Sequence, residues 1–177
     1  MPMSEYTRAL RGKIGNALLQ VPTASVVAFD ERGRVLLVRA AEGALWTTPG
    51  GMVEPHELPA EAAVRETWEE TGVFVELTHV IGVFGGPLCG VTYANGDALS
   101  WVATLFGAKP LAGRPRADGE ETLEVRYFER AEVAGLACRA HVRMFLDAAF
   151  RRSETAYFAP STWRPGELDA LQENKGS

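Results

Sequence analysis

Three glutamates, Glu66, Glu69 and Glu70, lie in the run Arg65-Glu66-Thr67-Trp68-Glu69-Glu70-Thr71-Gly72. The stretch before it, Pro59 to Val64, is apolar and helix-prone. On a helix, residues i, i+3 and i+4 share one face, so the three carboxylates converge on one patch. Like charges at that spacing cost a helix about 0.2–0.5 kcal/mol per pair. A surface helix gains nothing from this unless a cation stands in front of it. The patch reads as a seat for a hard divalent metal, and carboxylate-held metals of that kind point to phosphate chemistry.

The flanking residues say how the patch is positioned. Pro59 starts a helix well and Gly72 ends one. Before the helix, Thr47-Thr48-Pro49-Gly50-Gly51 is a loop whose paired glycines suit tight turns or close approach to a ligand. Upstream, Ser4 caps a helix predicted to reach Leu19, with Tyr6, Leu10, Ile14 and Leu18 at helical spacing and Pro22 marking its end. Ala24 to Phe29, a turn at Asp30 to Gly33, and Val35 to Val38 form a hairpin signature. Strands are predicted at Val73 to Val83, Leu99 to Phe106 and Glu124 to Phe128, and a second long helix at Arg139 to Arg151. Strands with interleaved helices imply an α+β fold or an α/β/α sandwich.

The chain has 177 residues, 46% hydrophobic and 23% charged, which suits one domain with short appendages. The formal charge is −5 and no long basic run occurs, which disfavours general nucleic-acid binding through a basic face. A small anionic substrate is compatible, because bound metal reverses local charge. Cys89 and Cys138 are far apart and read as two buried or half-buried thiols, with no disulfide framework and no zinc site. No signal peptide and no apolar run of about 20 residues is present, so a soluble, cytoplasmic protein that does not engage membranes is expected.

Counting from Gly51, five residues precede Glu57, seven more precede Arg65-Glu66, a two-residue gap leads to Glu69-Glu70, and Gly72-Val73 closes the pattern. This spacing resembles the signature box of the Nudix hydrolases at every charged and glycine position. Thr67 departs from it, standing where the family usually has an aliphatic residue; it should face the core and bond back to a carbonyl one turn earlier. The resemblance implies a Nudix α/β/α sandwich with a mixed central sheet over residues 21–155. An N-terminal amphipathic helix over 1–20 and an extended or partly disordered tail over 156–177 would flank it. The helix is a candidate dimer element.

The resemblance also implies the reaction: hydrolysis of a pyrophosphate bond in a nucleoside diphosphate linked to another group, with Mg²⁺ or Mn²⁺ as cofactor. Glu66, Glu69 and Glu70 are the expected metal ligands, joined by the carbonyl of Gly50. Glu57 and Arg65 are expected to form an ion pair pinning the loop to the helix. Glu69 or Glu66 is the expected base. Some family members recruit an acid from a later loop, here Asp118-Gly119-Glu120-Glu121, and Glu121 is the residue selected.

Trp46 is a candidate to stack a nucleobase, and Arg39 to hold a phosphate, beside Gly50 and Gly51. Phe84, Tyr93 and Trp101 read as core aromatics first and pocket residues second. His56, His79 and His141 read as surface residues without a role. Glu120 and Glu124 read as exposed charges. Pro87 lies near an offset at which enzymes of this kind that cut ADP-ribose often have a proline, though a plain loop proline is the simpler reading. The alternative function is a nucleotide-binding regulatory module without turnover; an isomerase is disfavoured for want of cysteine and histidine partners.

Overall fold

A computed structural model describes residues 4–41, 43–151 and 153–163. The predicted tail beyond Trp163 lies outside the described residues. The elements are α1 (Glu5–Ile14), β1 (Leu19–Ala28), β2 (Val35–Ala40), β3 (Trp46–Thr47), β4 (Gly50–Met52), α2 (Pro59–Thr71), β5 (Val73–Phe84), β6 (Gly90–Thr92), β7 (Ala98–Gly113), β8 (Thr122–Phe128), α3 (Arg130–Val133) and α4 (Ala140–Arg151). They build an α+β sandwich with two sheets in its middle layer. One is mixed, in the order β4-β1-β7-β5 with β6 on β7; the other is β3-β2-β8, antiparallel throughout.

Two hydrophobic cores follow from strand alternation. On one face, Ala24, Val26 and Ala28 of β1 and Phe106 and Ala108 of β7 pack against Ala62 and Ala63 of α2. On the other, Val27, Ala103 and Leu105 meet Val142, Phe145 and Leu146 of α4. Thr67 is buried in α2, and its hydroxyl donates to the Ala63 carbonyl at 2.7 Å, as its position demands.

Three expectations are corrected. The predicted β1–β2 hairpin does not form. The Asp30 turn is real, with Asp30 Oδ1 accepting the Arg32 and Arg34 amides, but the two strands enter different sheets and share one bridge, Phe29 to Val35. Alternating apolar residues specify faces, not partners. The N-terminal helix stops at Ile14 because Gly15 adopts a left-handed φ of +58°, and Pro22 lies inside β1 rather than at a helix end. Proline is tolerated there because β4 pairs with β1 only from Thr23 to Ser25, so no ladder bond from Pro22 is required on that side. The helix also leaves Tyr6 and Ile14 exposed and buries only Thr7, and Leu18, beyond its end, is exposed as well.

Beyond α4 the chain returns to the free edge of β5. Tyr157 donates its amide to Ile81, its carbonyl accepts from Val83, and its ring stacks on Phe84 at 5.1 Å. Gly82 makes this approach possible: a Cβ there would lie 2.6 Å from the Tyr157 carbonyl oxygen. Gly82→Val should therefore unseat the segment around Tyr157. Limited proteolysis should cut near Ser153–Phe158 faster than in wild type, with a stability loss of about 1–2 kcal/mol; an unchanged digestion pattern would contradict the pairing.

Candidate functional site

The chain passes between the two sheets three times, from β1 to β2, from β3 to β4 and from β7 to β8. The second crossing, Thr48-Pro49, delivers Gly50 beside the C-terminal half of α2. Gly50 has a φ of +148°, and a Cβ there would strike the Ala24 carbonyl oxygen at 2.3 Å. Only glycine fits, and its amide donates to Glu70 Oε2 at 3.0 Å. Gly51 sits next to it in the β1–β4 ladder, opposite Ala24.

α2 presents its carboxylates to a cavity of about 410 Å³ lined by Ser4, Glu54, Arg65, Glu66, Glu69, Glu70, Asp118, Glu120 and Glu121. The helix begins without a capping side chain at Leu58; Glu61 accepts the Leu58 amide instead. Gly72 ends it in left-handed backbone. Arg65 is the hub. It grips Glu57 with two bonds of 2.8 and 2.9 Å, and reaches Glu66 at 2.8 Å, Glu69 at 3.1 Å and the Met52 carbonyl at 3.3 Å. Glu57 also accepts the Glu54 amide and lies outside the cavity lining, so it holds the loop to the helix.

The electrostatics follow from burial. Glu66 is 1% exposed, and desolvation raises its pKa to about 7 against the pull of Arg65, with Glu69 and Glu121 adding repulsion. Desolvation raises Glu70 further, to about 8; the Gly50 amide opposes this, while Glu66 and Glu121 reinforce it. Bonding to Arg65 lowers Glu57 below the usual range, and Glu57 in turn raises Arg65. The cavity thus holds more negative charge than its own cation neutralises.

Glu121 reaches the cavity on a loop ordered by Asp118. Asp118 Oδ1 accepts the amides of Glu120, Glu121 and Thr122 at 2.8–3.0 Å, and Thr122 donates its hydroxyl to the Glu70 carbonyl at 3.1 Å. Desolvation pushes the Asp118 pKa up, but these amides outweigh it and the net shift is downward. Glu120, expected as a plain exposed charge, is exposed and also lines the cavity. Asp118, Glu54 and Ser4 were not singled out for the site; the Asp118-Gly119 turn before Thr122 was the available signal.

A second cavity, about 190 Å³, opens at the other end of the crossing. Trp46, Tyr93, Trp101, Arg139 and His141 line it with Ala40, Leu45, Thr47 and Val91. Trp46 is braced edge-on by Phe128 at 4.5 Å. The surface reading of His141 is corrected: it packs edge-on against Trp101 at 5.2 Å and against Phe145, and burial, aided by Arg139, lowers its pKa to about 4. Its place in the first turn of α4 hid this, because a lone histidine there carries no periodic signal. Phe84 is core, and Pro87 sits in an exposed turn lining neither cavity. Arg39 lines neither; it lies 3.7 Å from Glu124, and its buried Nε makes no hydrogen bond. His56 is exposed.

The model of the NUDIX domain matches residues 19–147. The chain belongs to the Nudix family. α1 precedes the matched Nudix region. A "MutT-like protein" of Streptomyces ambofaciens is 34% identical over 131 residues, 74% of this chain and 77% of that one. A Bacillus subtilis (strain 168) protein, provisionally named an 8-oxo-dGTP diphosphatase, is 36% identical over 59% of this chain and 63% of its own. Among solved structures, the MutT protein from Methanosarcina mazei Go1 shares the fold with a TM-score of 0.63 at 21% identity, covering 78% of this chain and 99% of that one.

Among the described residues no three acidic, histidine or cysteine side chains converge as a ready-made metal cage. The donors around the Nudix cavity are nonetheless all oxygen, as Mg²⁺ or Mn²⁺ requires, and Glu69, exposed and tied by one 3.1 Å contact, can swing inward. A carboxyl with a raised folded pKa binds its proton more tightly when folded. The stability contribution of Glu66 and Glu70 is therefore full below about 4.5 and lost as pH rises through about 7 and 8. Metal-free protein should melt lower at pH 8.5 than at pH 6, and Mg²⁺ should restore the difference by taking the protons' place. Scanning fluorimetry with and without chelator checks this; pH-independent melting that ignores Mg²⁺ would contradict it.

Proposed function

We propose that this Nudix pyrophosphohydrolase uses Mg²⁺ or Mn²⁺ to cleave a pyrophosphate bond in a nucleoside diphosphate linked to a further group. The observation that carries the reading is the single acidic cavity. The helix face bearing Glu66, Glu69 and Glu70 and the separate loop bearing Glu121 face one another across it. Glu66, Glu69, Glu70 and the Gly50 carbonyl would hold the metal. Bound there, it would lower the pKa of water and neutralise charge on the phosphates. Glu121, Glu66 and Glu69 are the candidates to take the proton of the attacking water. Arg65 and Glu57 orient Glu66 without needing to touch the substrate.

The aromatic cavity supports a nucleotide as the substrate class. It is smaller than the roughly 300–1,000 Å³ of a whole-ligand pocket, a size suited to one flat ring system. From Trp46 to Gly50 the chain advances four residues, at most about 14 Å, a span that suits a ring at one end and phosphates at the other. Arg39, in register with Trp46 across the β2–β3 ladder, is the proposed phosphate or sugar contact. The provisional name of the Bacillus relative agrees with a nucleoside triphosphate.

Glu70→Gln and Glu69→Gln should each reduce turnover by about 100-fold or more with the fold kept. Release of product from nucleoside triphosphates, ADP-ribose, dinucleoside polyphosphates and nucleotide sugars, with Mg²⁺ and Mn²⁺, measures it. Full activity of either variant at saturating Mg²⁺ would sink the assignment, and tight nucleotide binding without release would favour a regulatory module. Trp46→Ala should raise KM by about tenfold while sparing kcat; a pure loss of kcat would remove the ring-binding role of the cleft.

A further inference from the structure

Directed polar contacts, rather than a buried apolar stripe, hold α1 to the domain. Thr7 donates its hydroxyl to Met52 Sδ at 3.5 Å. Arg11 donates to the carbonyls of Gly15 and Ala17, at 3.3 and 2.7 Å, and to that of Ala98 at 2.6 Å. Asn16 Nδ2 donates to the Asn95 carbonyl at 3.0 Å and lies 2.7 Å from where a side chain on Gly96 would begin. Asn95 and Gly96 belong to the turn between β6 and β7, and Ala98 opens β7 directly after it.

That turn needs support. β6 is a three-residue edge strand that pairs only with β7, so the turn at its end has no strand neighbour on its outer side. The turn closes on itself through the Tyr93 amide to Asp97 and the Gly96 amide to Tyr93, which makes it one rigid body that can tilt as a unit. Tyr93 is its first residue and lines the aromatic cavity. Arg11 does not line that cavity.

We propose that α1 is a specificity element: Arg11, with Asn16, is a positioning residue that fixes the β6–β7 turn and thereby sets Tyr93 against the ring bound in the aromatic cavity. This rests on the reading of that cavity as the ring site. Arg11 acts on recognition rather than on bond cleavage, because separate contacts hold the acidic cavity: the Arg65 hub on one side and the Asp118 turn on the other. Losing the guanidinium frees the Ala98 carbonyl at the foot of the turn and loosens the Gly15–Ala17 segment that carries Asn16, the other brace on the turn. A tilting turn presents Tyr93 in many orientations, which weakens binding of the ring without moving a carboxylate.

The test is steady-state kinetics on the nucleotide that the wild type cleaves. Arg11→Met keeps the aliphatic stem and removes the donors. It should raise KM by about tenfold with kcat within about twofold, the split expected when only binding is lost. Tyr93→Ala should raise KM similarly, and the double variant should add little beyond Tyr93→Ala, because both act through one ring contact. An unchanged KM, a fall in kcat at constant KM, or additive effects in the double variant would overturn the proposal. Should Arg11→Met not fold, Asn16→Ala, read in the same way, decides. A wild type that cleaves no nucleotide removes the proposed function and this inference with it; an active wild type with an indifferent Arg11 removes the inference alone.

Discussion

The guanidinium of Arg65 is the interaction on which the rest of the site depends. A helix face with acids at i, i+3 and i+4 repels itself, and α2 has no basic residue in its last turn to relieve it. Arg65 supplies the missing charge from the same helix and spends its planar fork on both oxygens of Glu57. Its remaining bonds hold Glu66 and Glu69 and the Met52 carbonyl. The helix, the loop before it and β4 are therefore locked to one another by a single side chain. Lysine could not take its place, since one ammonium cannot present parallel donors to a carboxylate and still reach two further acids.

That lock is incomplete by construction. Glu70 lies beyond its reach and has only the Gly50 amide, so its charge stays poorly compensated in a dry setting. A site fully neutralised by its own cation would have no affinity left for another. Here the surplus is concentrated on Glu66 and Glu70, while the exposed Glu69 is tied to Arg65 by a single 3.1 Å contact.

The sequence made the box legible because its chemistry dictates residue types at fixed spacing: acids at helical intervals, an arginine among them, glycines where backbone must approach. It also made Thr67 legible, since a hydroxyl in a buried helix has one place to bond. Strand partners were not legible. Alternation at Ala24–Phe29 and Val35–Val38 states which side faces a core, and the chain used the Asp30 turn to change sheets rather than to close a hairpin. The role of His141 was hidden for a related reason, because its neighbours Trp101 and Phe145 come from distant segments that only the tertiary fold brings together. The Asp118 turn was hidden because a loop aspartate that accepts three amides looks, in sequence, like any solvated one.

The crossing from Trp46 to Gly50 joins these observations into a single constraint on the substrate. Its two ends are fixed independently. Trp46 is wedged against Phe128 and its amide bonds to Ala137, whereas Gly50 is pressed into β1 at a spot where no side chain fits. Neither end can slide without breaking a sheet. The distance between the aromatic cavity and the acidic one is consequently a property of the backbone, and side-chain changes in either cavity leave it intact. On the proposed reading, bond cleavage can then stay constant while the walls of the aromatic cavity vary. Those walls come from the elements least constrained by the box: the β6–β7 turn and the start of α4.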